Sequence, residues 1–257
     1  MILTINIGNT NISLSGYHEG AQQFSAKLYA DPRCTASEYA VRITQILALY
    51  NVRAATIEGA IIGSVVPTLT TRLREAIDLL CTTKTLIVGP GLKSGLKLRL
   101  DNPTQLGAEL LCAAVAALAE GSAPLVIINA DTAISMIAVN RNNELIGGSI
   151  LPGPQLSLAS LVKNTAQLPQ IDLHGAPVPT LLGTNSIASL QSGVILGTAS
   201  LLDGMAARFC AELGADTAFY ITGTLPTCIR TACTTPLRYR ESLISDGLHL
   251  IWQKNQK

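Results

Sequence analysis

Hydrophobic and polar positions follow two periods along this chain and trade places at regular intervals. An apolar strand runs through Ile7, the polar turn Gly8-Asn9-Thr10-Asn11 follows, and alternation resumes in Ile12-Ser13-Leu14 before a turn at His18-Glu19-Gly20 and another short strand. Thr35 and Glu38 have capping-box spacing, which predicts a helix from there to about Tyr50. A buried strand over 60–66, a helix led by Pro67 to about Cys81 and a strand over 85–88 come next. After the irregular residues 89–103, Leu106 to Glu120 reads as an Ala/Leu helix that Gly121 closes. Strands are predicted over 125–129, 134–139 and 145–150, separated by Asp131-Thr132 and a turn at Asn142-Asn143. Strands alternating with helices place the chain in the α/β class.

The second half restarts the first. Ile5-Asn6-Ile7-Gly8-Asn9-Thr10-Asn11-Ile12-Ser13-Leu14 and Ile128-Asn129-Ala130-Asp131-Thr132-Ala133-Ile134-Ser135-Met136 both read Ile-Asn, a small polar turn with Thr, then Ile-Ser-apolar. Chance similarity between short strings is the alternative, but each string heads its own half. The expectation is a duplicated domain, with one lobe over 1–121 and another over 122–257, and two facing meanders that would bring two polar turns to one cleft. At 257 residues the chain has room for two domains of about 120 residues each.

Composition narrows the function classes. Hydrophobic residues make up 48% and charged residues 14%, which excludes disorder driven by charge. With 18 Lys+Arg against 17 Asp+Glu and no basic run, there is no electrostatic footprint for nucleic acid or an anionic membrane, so a bound anion would be held by local geometry. The uninterrupted apolar runs fall short of the roughly 20 residues that span a bilayer, and the chain opens directly on a strand, so a cytoplasmic protein without a membrane segment is expected. The six cysteines form no CxxC pair and read as thiols in a reducing compartment. Cys228 and Cys233 with His249 are the alternative, a metal set whose spacing is unlike that of zinc sites.

Three segments carry candidate chemistry. The Gly8-Asn9-Thr10-Asn11 turn offers backbone N–H groups, a hydroxyl and two amides suited to phosphate oxygens, and is equally an ordinary hairpin turn. Asp131-Thr132 would add a second grip, although a carboxylate beside phosphate needs a cation between them. Glu109, behind Gly107 and Ala108, is placed to take a proton from a hydroxyl nucleophile, or merely complements the helix dipole. Gly147-Gly148, Pro152-Gly153-Pro154 and Gly223 mark bent connections, where Gly223 would let a planar group lie on the backbone.

Ile7-Gly8-Asn9-Thr10-Asn11, Ser64-Val65-Val66-Pro67, the run from Val88 to Leu96, Asp101-Asn102-Pro103 with Gly107-Ala108, Gly147-Gly148 through Pro152-Gly153 to Leu168-Pro169, Gln191-Ser192-Gly193 and Thr222-Gly223 together resemble the motif series of the type III pantothenate kinases. The resemblance covers nearly the whole chain. It implies the actin-like ATPase (ribonuclease H-like) superfold with duplicated lobes, ATP with Mg²⁺ and a monovalent cation (K⁺ or NH₄⁺), and phosphorylation of the primary hydroxyl of pantothenate in the first step of coenzyme A synthesis. It also implies a dimer whose substrate site is completed by the neighbouring subunit. On this basis Glu109 takes the catalytic aspartate's position, and Asn6, Gly8, Asn9, Thr10, Asp131, Thr132 and Gly223 are expected around the nucleotide. Leu100, Gly107 and Ala108 are expected at the acceptor, Ser186 across the dimer, and Asn6 and Asn129 where metal-site carboxylates stand in the family.

The departures from the pattern fall on the same segments. Asp-x-Gly-Asn-Thr begins here with Asn6, Asp-Phe-Gly-Thr-Ala reads Asn129-Ala130-Asp131-Thr132-Ala133, Gly-Ala-Asp-Arg reads Gly107-Ala108-Glu109-Leu110, Thr-Gly-Gly reads Thr222-Gly223-Thr224, and a tyrosine is replaced by Leu100. Amide oxygens replace carboxylates as donors to a hard cation. The extra methylene of Glu109 moves its oxygens by about 1 Å, a misplacement that can cost about 100-fold. Asp131 enters as a like charge to phosphate, or supplies the carboxylate lost at Asn129. These changes leave two further readings: an inactive subunit that regulates or completes a heteromer with another family member, and a kinase for another small hydroxyl compound.

Overall fold

Strands β1 (Ile2–Ile7), β2 (Asn11–His18) and β3 (Ala21–Tyr29) form an antiparallel meander, and β1 then pairs in parallel with β4 (Gly59–Ser64), which pairs with β5 (Lys84–Ile87). The sheet order is β3-β2-β1-β4-β5. Helices α1 (Ala36–Leu49) and α2 (Pro67–Leu80) bury Tyr39, Ile43, Leu69 and Leu73 in the same core as Leu3, Ile5 and Ile7 of β1. The capping box at Thr35 and Glu38 is present, and Pro67 opens α2 where its missing N–H leaves no bond unmade. Helix α3 (Ala108–Glu120) completes this part of the chain.

A second sheet repeats the plan. After the two-residue strand β6 (Lys97–Leu98), which lies inside the stretch expected to be irregular, β7 (Leu125–Ala130), β8 (Ala133–Val139) and β9 (Glu144–Pro152) form a meander. Helices α4 (Pro154–Lys163) and α5 (Ser186–Leu213) follow, then β10 (Ala218–Gly223), α6 (Thr227–Ala232) and β11 (Leu237–Tyr239). The order is β11-β10-β7-β8-β9-β6, the first sheet's order with one strand added at the edge. Register carries the duplication to single residues: Ile5 faces Leu14 and Asn6 faces Ser13 in the first meander, as Ile128 faces Met136 and Asn129 faces Ser135 in the second.

The computed structural model describes residues 1–256 and divides into two units. Unit 1 holds Met1–Leu96, Asp101–Glu120 and the segment from Ser242; unit 2 holds Lys97–Leu100 and Gly121–Glu241. The two units differ from the expected lobes over Lys97–Leu100, which joins unit 2, and at the last helix, α7 (Leu243–Lys254), which packs on α3, β1 and β4. Its buried stripe of Leu243, Leu248, Ile251 and Trp252 needs an apolar face, and unit 1 supplies it. The fit is close, since a β-carbon at Gly247 would overlap the Cys112 carbonyl of α3 and one at Gly59 would overlap the Trp252 ring. Tyr17 of β2 adds a polar latch, its hydroxyl donating to Asp246 Oδ1 at 2.6 Å while its ring stacks on His249 at 4.5 Å.

Among the described residues α5 is the one helix long and apolar enough, by length and composition, to cross a membrane. Counting unbroken apolar runs misses it, because Gly, Ser and Thr interrupt its sequence. Its stripe of Leu190, Ile195, Ala199, Leu202 and Ala206 is buried in the unit 2 core.

Candidate active site

In unit 1 the chain leaves β1 at Ile7 and turns through Gly8-Asn9-Thr10-Asn11. The Gly8 N–H donates to the Asn11 carbonyl at 2.9 Å and so closes the turn. Asn9 and Thr10 are exposed at its tip, and the Thr10 carbonyl accepts from the Ala30 N–H at 2.9 Å, tying the turn to the end of β3. Glu109 sits in the first turn of α3 and reaches back to β1, where Asn6 Nδ2 donates to its Oε1 at 2.9 Å. Gly8 leaves room for that carboxylate, since a β-carbon there would stand 3.2 Å from Oε1. Gly107 precedes the helix, and Ala108, its first residue, is buried. One turn on, Cys112 is fully buried, and burial together with the charge of Glu109 drives its thiol far above the ordinary range, which excludes it as a nucleophile.

Unit 2 presents the matching turn. The Asp131 N–H donates to the Ala133 carbonyl at 2.9 Å, so Asp131 occupies the place that Gly8 holds in the first repeat. Three neighbours fix this turn. The Thr224 N–H donates to the Ala130 carbonyl at 2.8 Å, the counterpart of Val65 N–H to Ile7 carbonyl at 3.0 Å in unit 1. The Gly153 N–H donates to the Thr132 carbonyl at 2.9 Å, and a β-carbon at Gly153 would overlap the Asp131 and Thr132 carbonyls. Gly223, at φ +99°, lies so close to Ala130 that only glycine fits. The Asp131 carboxylate is engaged sideways, accepting from Thr224 Oγ1 at 2.8 Å.

Of the residues singled out in the sequence, unit 1 brings together Asn6, Gly8 and Glu109, and unit 2 brings together Asp131, Thr132 and Gly223. Asn129 is half-buried in β7 between Ser135 and Thr222. Leu100 follows β6 at the sheet edge, and Ser186 opens α5, exposed beside a groove of about 640 Å³ lined by Pro152, Leu161, Leu168, Gly193 and Leu201. Sequence reasoning noted Gly153 and Thr224 without seeing that both hold the Asp131 turn, because the contacts join residues far apart in sequence. Among the described residues no three His, Cys, Asp or Glu side chains gather to hold a metal.

A sequence model of the type III pantothenate kinase family matches residues 2–208. A type III pantothenate kinase from an Exiguobacterium species is 34% identical over 257 residues, spanning all of both chains. Among solved structures, component A of (R)-2-hydroxyglutaryl-CoA dehydratase from Acidaminococcus fermentans aligns with a TM-score of 0.57 at 13% identity over 99% of each chain. A ROK family glucokinase from Streptomyces griseus, solved with glucose and AMPPNP, aligns at 0.52 and 13% over 96% of each. At these identities the structures speak for the fold, an actin-like ATPase fold with two mixed sheets.

Proposed function

The chain belongs to the type III pantothenate kinase family, and from that premise we propose that it transfers the γ-phosphoryl group of ATP to the primary hydroxyl of pantothenate, opening coenzyme A synthesis. One observation carries the site reading: the Glu109 carboxylate is held by Asn6 against the turn at Gly8. Glu109 takes the hydroxyl proton as the oxygen attacks phosphorus, the bond from phosphorus to the bridging oxygen breaks, and ADP leaves with that oxygen. In unit 1 the exposed Asn9 and Thr10 are suited to phosphate oxygens, and in unit 2 the exposed Thr132 is, with Gly223 leaving the backbone beside it open to close approach. Gly107 and Ala108 of unit 1 border the acceptor.

The donors at these turns are all oxygens, which suits Mg²⁺ and K⁺ or NH₄⁺ better than a thiophilic metal. Mg²⁺, when bound, shields the charge on the transferring phosphates. Asp131 is the carboxylate that would hold it, with the amide oxygen of Asn129 suited to a weakly held monovalent ion. The paired side chains at the site give no support to an inactive subunit.

We place the protein in the cytoplasm as a homodimer. Gly193, Gly197 and Gly204 lie along α5 with nothing within 4 Å of a β-carbon, while Leu181, Leu182 and Ile187 are exposed beside its start. That face suits a second copy, with Ser186 offered to the partner's site. Incubation with ATP, Mg²⁺, K⁺ and pantothenate should give ADP and phosphorylated pantothenate by mass spectrometry. Phosphorylation of a different hydroxyl compound, with none of pantothenate, overturns the assignment.

A further inference from the structure

Asn6 and Glu109 are the two positions of the unit 1 site where carboxylate chemistry departs from the pattern the sequence resembles, and they touch. We propose that they act as one unit, in which Asn6 is a positioning residue whose amide holds the longer Glu109 side chain in place. The proposal rests on Glu109 being the base. Three features support it. The Asn6 Nδ2 donor lies 2.9 Å from a carboxylate oxygen across 103 residues of sequence, within the range of a charge-assisted hydrogen bond. The same amide leaves its own Oδ1 buried and unpaired, so its orientation answers to Glu109 and to nothing on its other side. Gly8 keeps the turn open for the carboxylate that Asn6 holds, since a β-carbon there would stand 3.2 Å from Oε1.

The geometry makes the two positions interdependent. With Asp at 6 and Glu at 109, a carboxylate oxygen replaces the amide nitrogen, and two like charges meet at the distance now occupied by a hydrogen bond. With Asn at 6 and Asp at 109, the carboxylate retreats by about 1 Å or more, out of hydrogen-bonding range. With Asp at both, the retreat separates the charges again. Each single exchange is therefore harmful, and adding Asn6→Asp to Glu109→Asp costs little more, because the retreat has already separated the charges.

The test is a cycle of wild type, Asn6→Asp, Glu109→Asp and the double variant, read two ways. In turnover, each single variant should lose about 10- to 100-fold in kcat with little change in the KM for pantothenate, and the double variant should be no slower than Glu109→Asp alone. In thermal unfolding of the nucleotide-free proteins, the double variant should be more stable than the sum of the single effects predicts. Additive effects in both readings, or an Asn6→Asp variant faster than wild type, overturn the proposal. Coupled stability without turnover in any of the four proteins overturns instead the reading of Glu109 as a catalytic base.

Discussion

Asp131 shows how one side chain changes meaning once its neighbour is known. From the sequence its charge is an obstacle to phosphate, since two like charges at about 4 Å repel by roughly 1 kcal/mol in water and more in a partly buried site. In the structure Thr224, itself a departure from the family pattern, donates to that carboxylate at 2.8 Å and turns it aside. Asp131→Gly should therefore raise the KM for Mg·ATP severalfold by removing an oxygen donor and loosening the turn. Tighter nucleotide binding in that variant would restore the carboxylate as an obstacle. The residue types of the site were legible in the sequence, but the pairs Asn6 with Glu109 and Asp131 with Thr224 were not. They join positions 103 and 93 residues apart, and no local pattern encodes such a meeting.

At the scale of elements, the two meanders could be read from alternation and turn chemistry because both signals are local. The place of α7 could not, since an amphipathic stripe shows that a helix buries a face without showing against what. Its packing on unit 1 buries His249 between Tyr17 and Gln253, leaving Nδ1 without a partner. Burial holds that imidazole below the ordinary range, with the charge of Asp246 pulling weakly the other way. The folded chain thus keeps His249 neutral at a pH where the unfolded chain takes up a proton, beginning at about 6.5. Stability is complete above that pH and falls as pH drops through it towards the lower folded value. Melting temperatures between about pH 7.5 and 5.5 should decline more steeply for wild type than for His249→Phe, which keeps the stack and cannot titrate. Parallel declines would remove His249 as the cause.

For the whole molecule, the duplication carries over to sheet order, to register and to the backbone bond that anchors each turn to its parallel strand. The exposed small-residue face of α5 predicts that light scattering will give twice the 27.0 kDa of one chain, and a monomer at micromolar concentration would contradict that. The most direct measurement is kcat for phosphorylation of pantothenate by wild type and Glu109→Gln, which keeps the shape of the side chain and removes the base. Wild type should turn over, and the variant should be slower by about 100- to 10,000-fold. Equal rates in the two proteins, or no turnover in wild type, would contradict a kinase that works through Glu109.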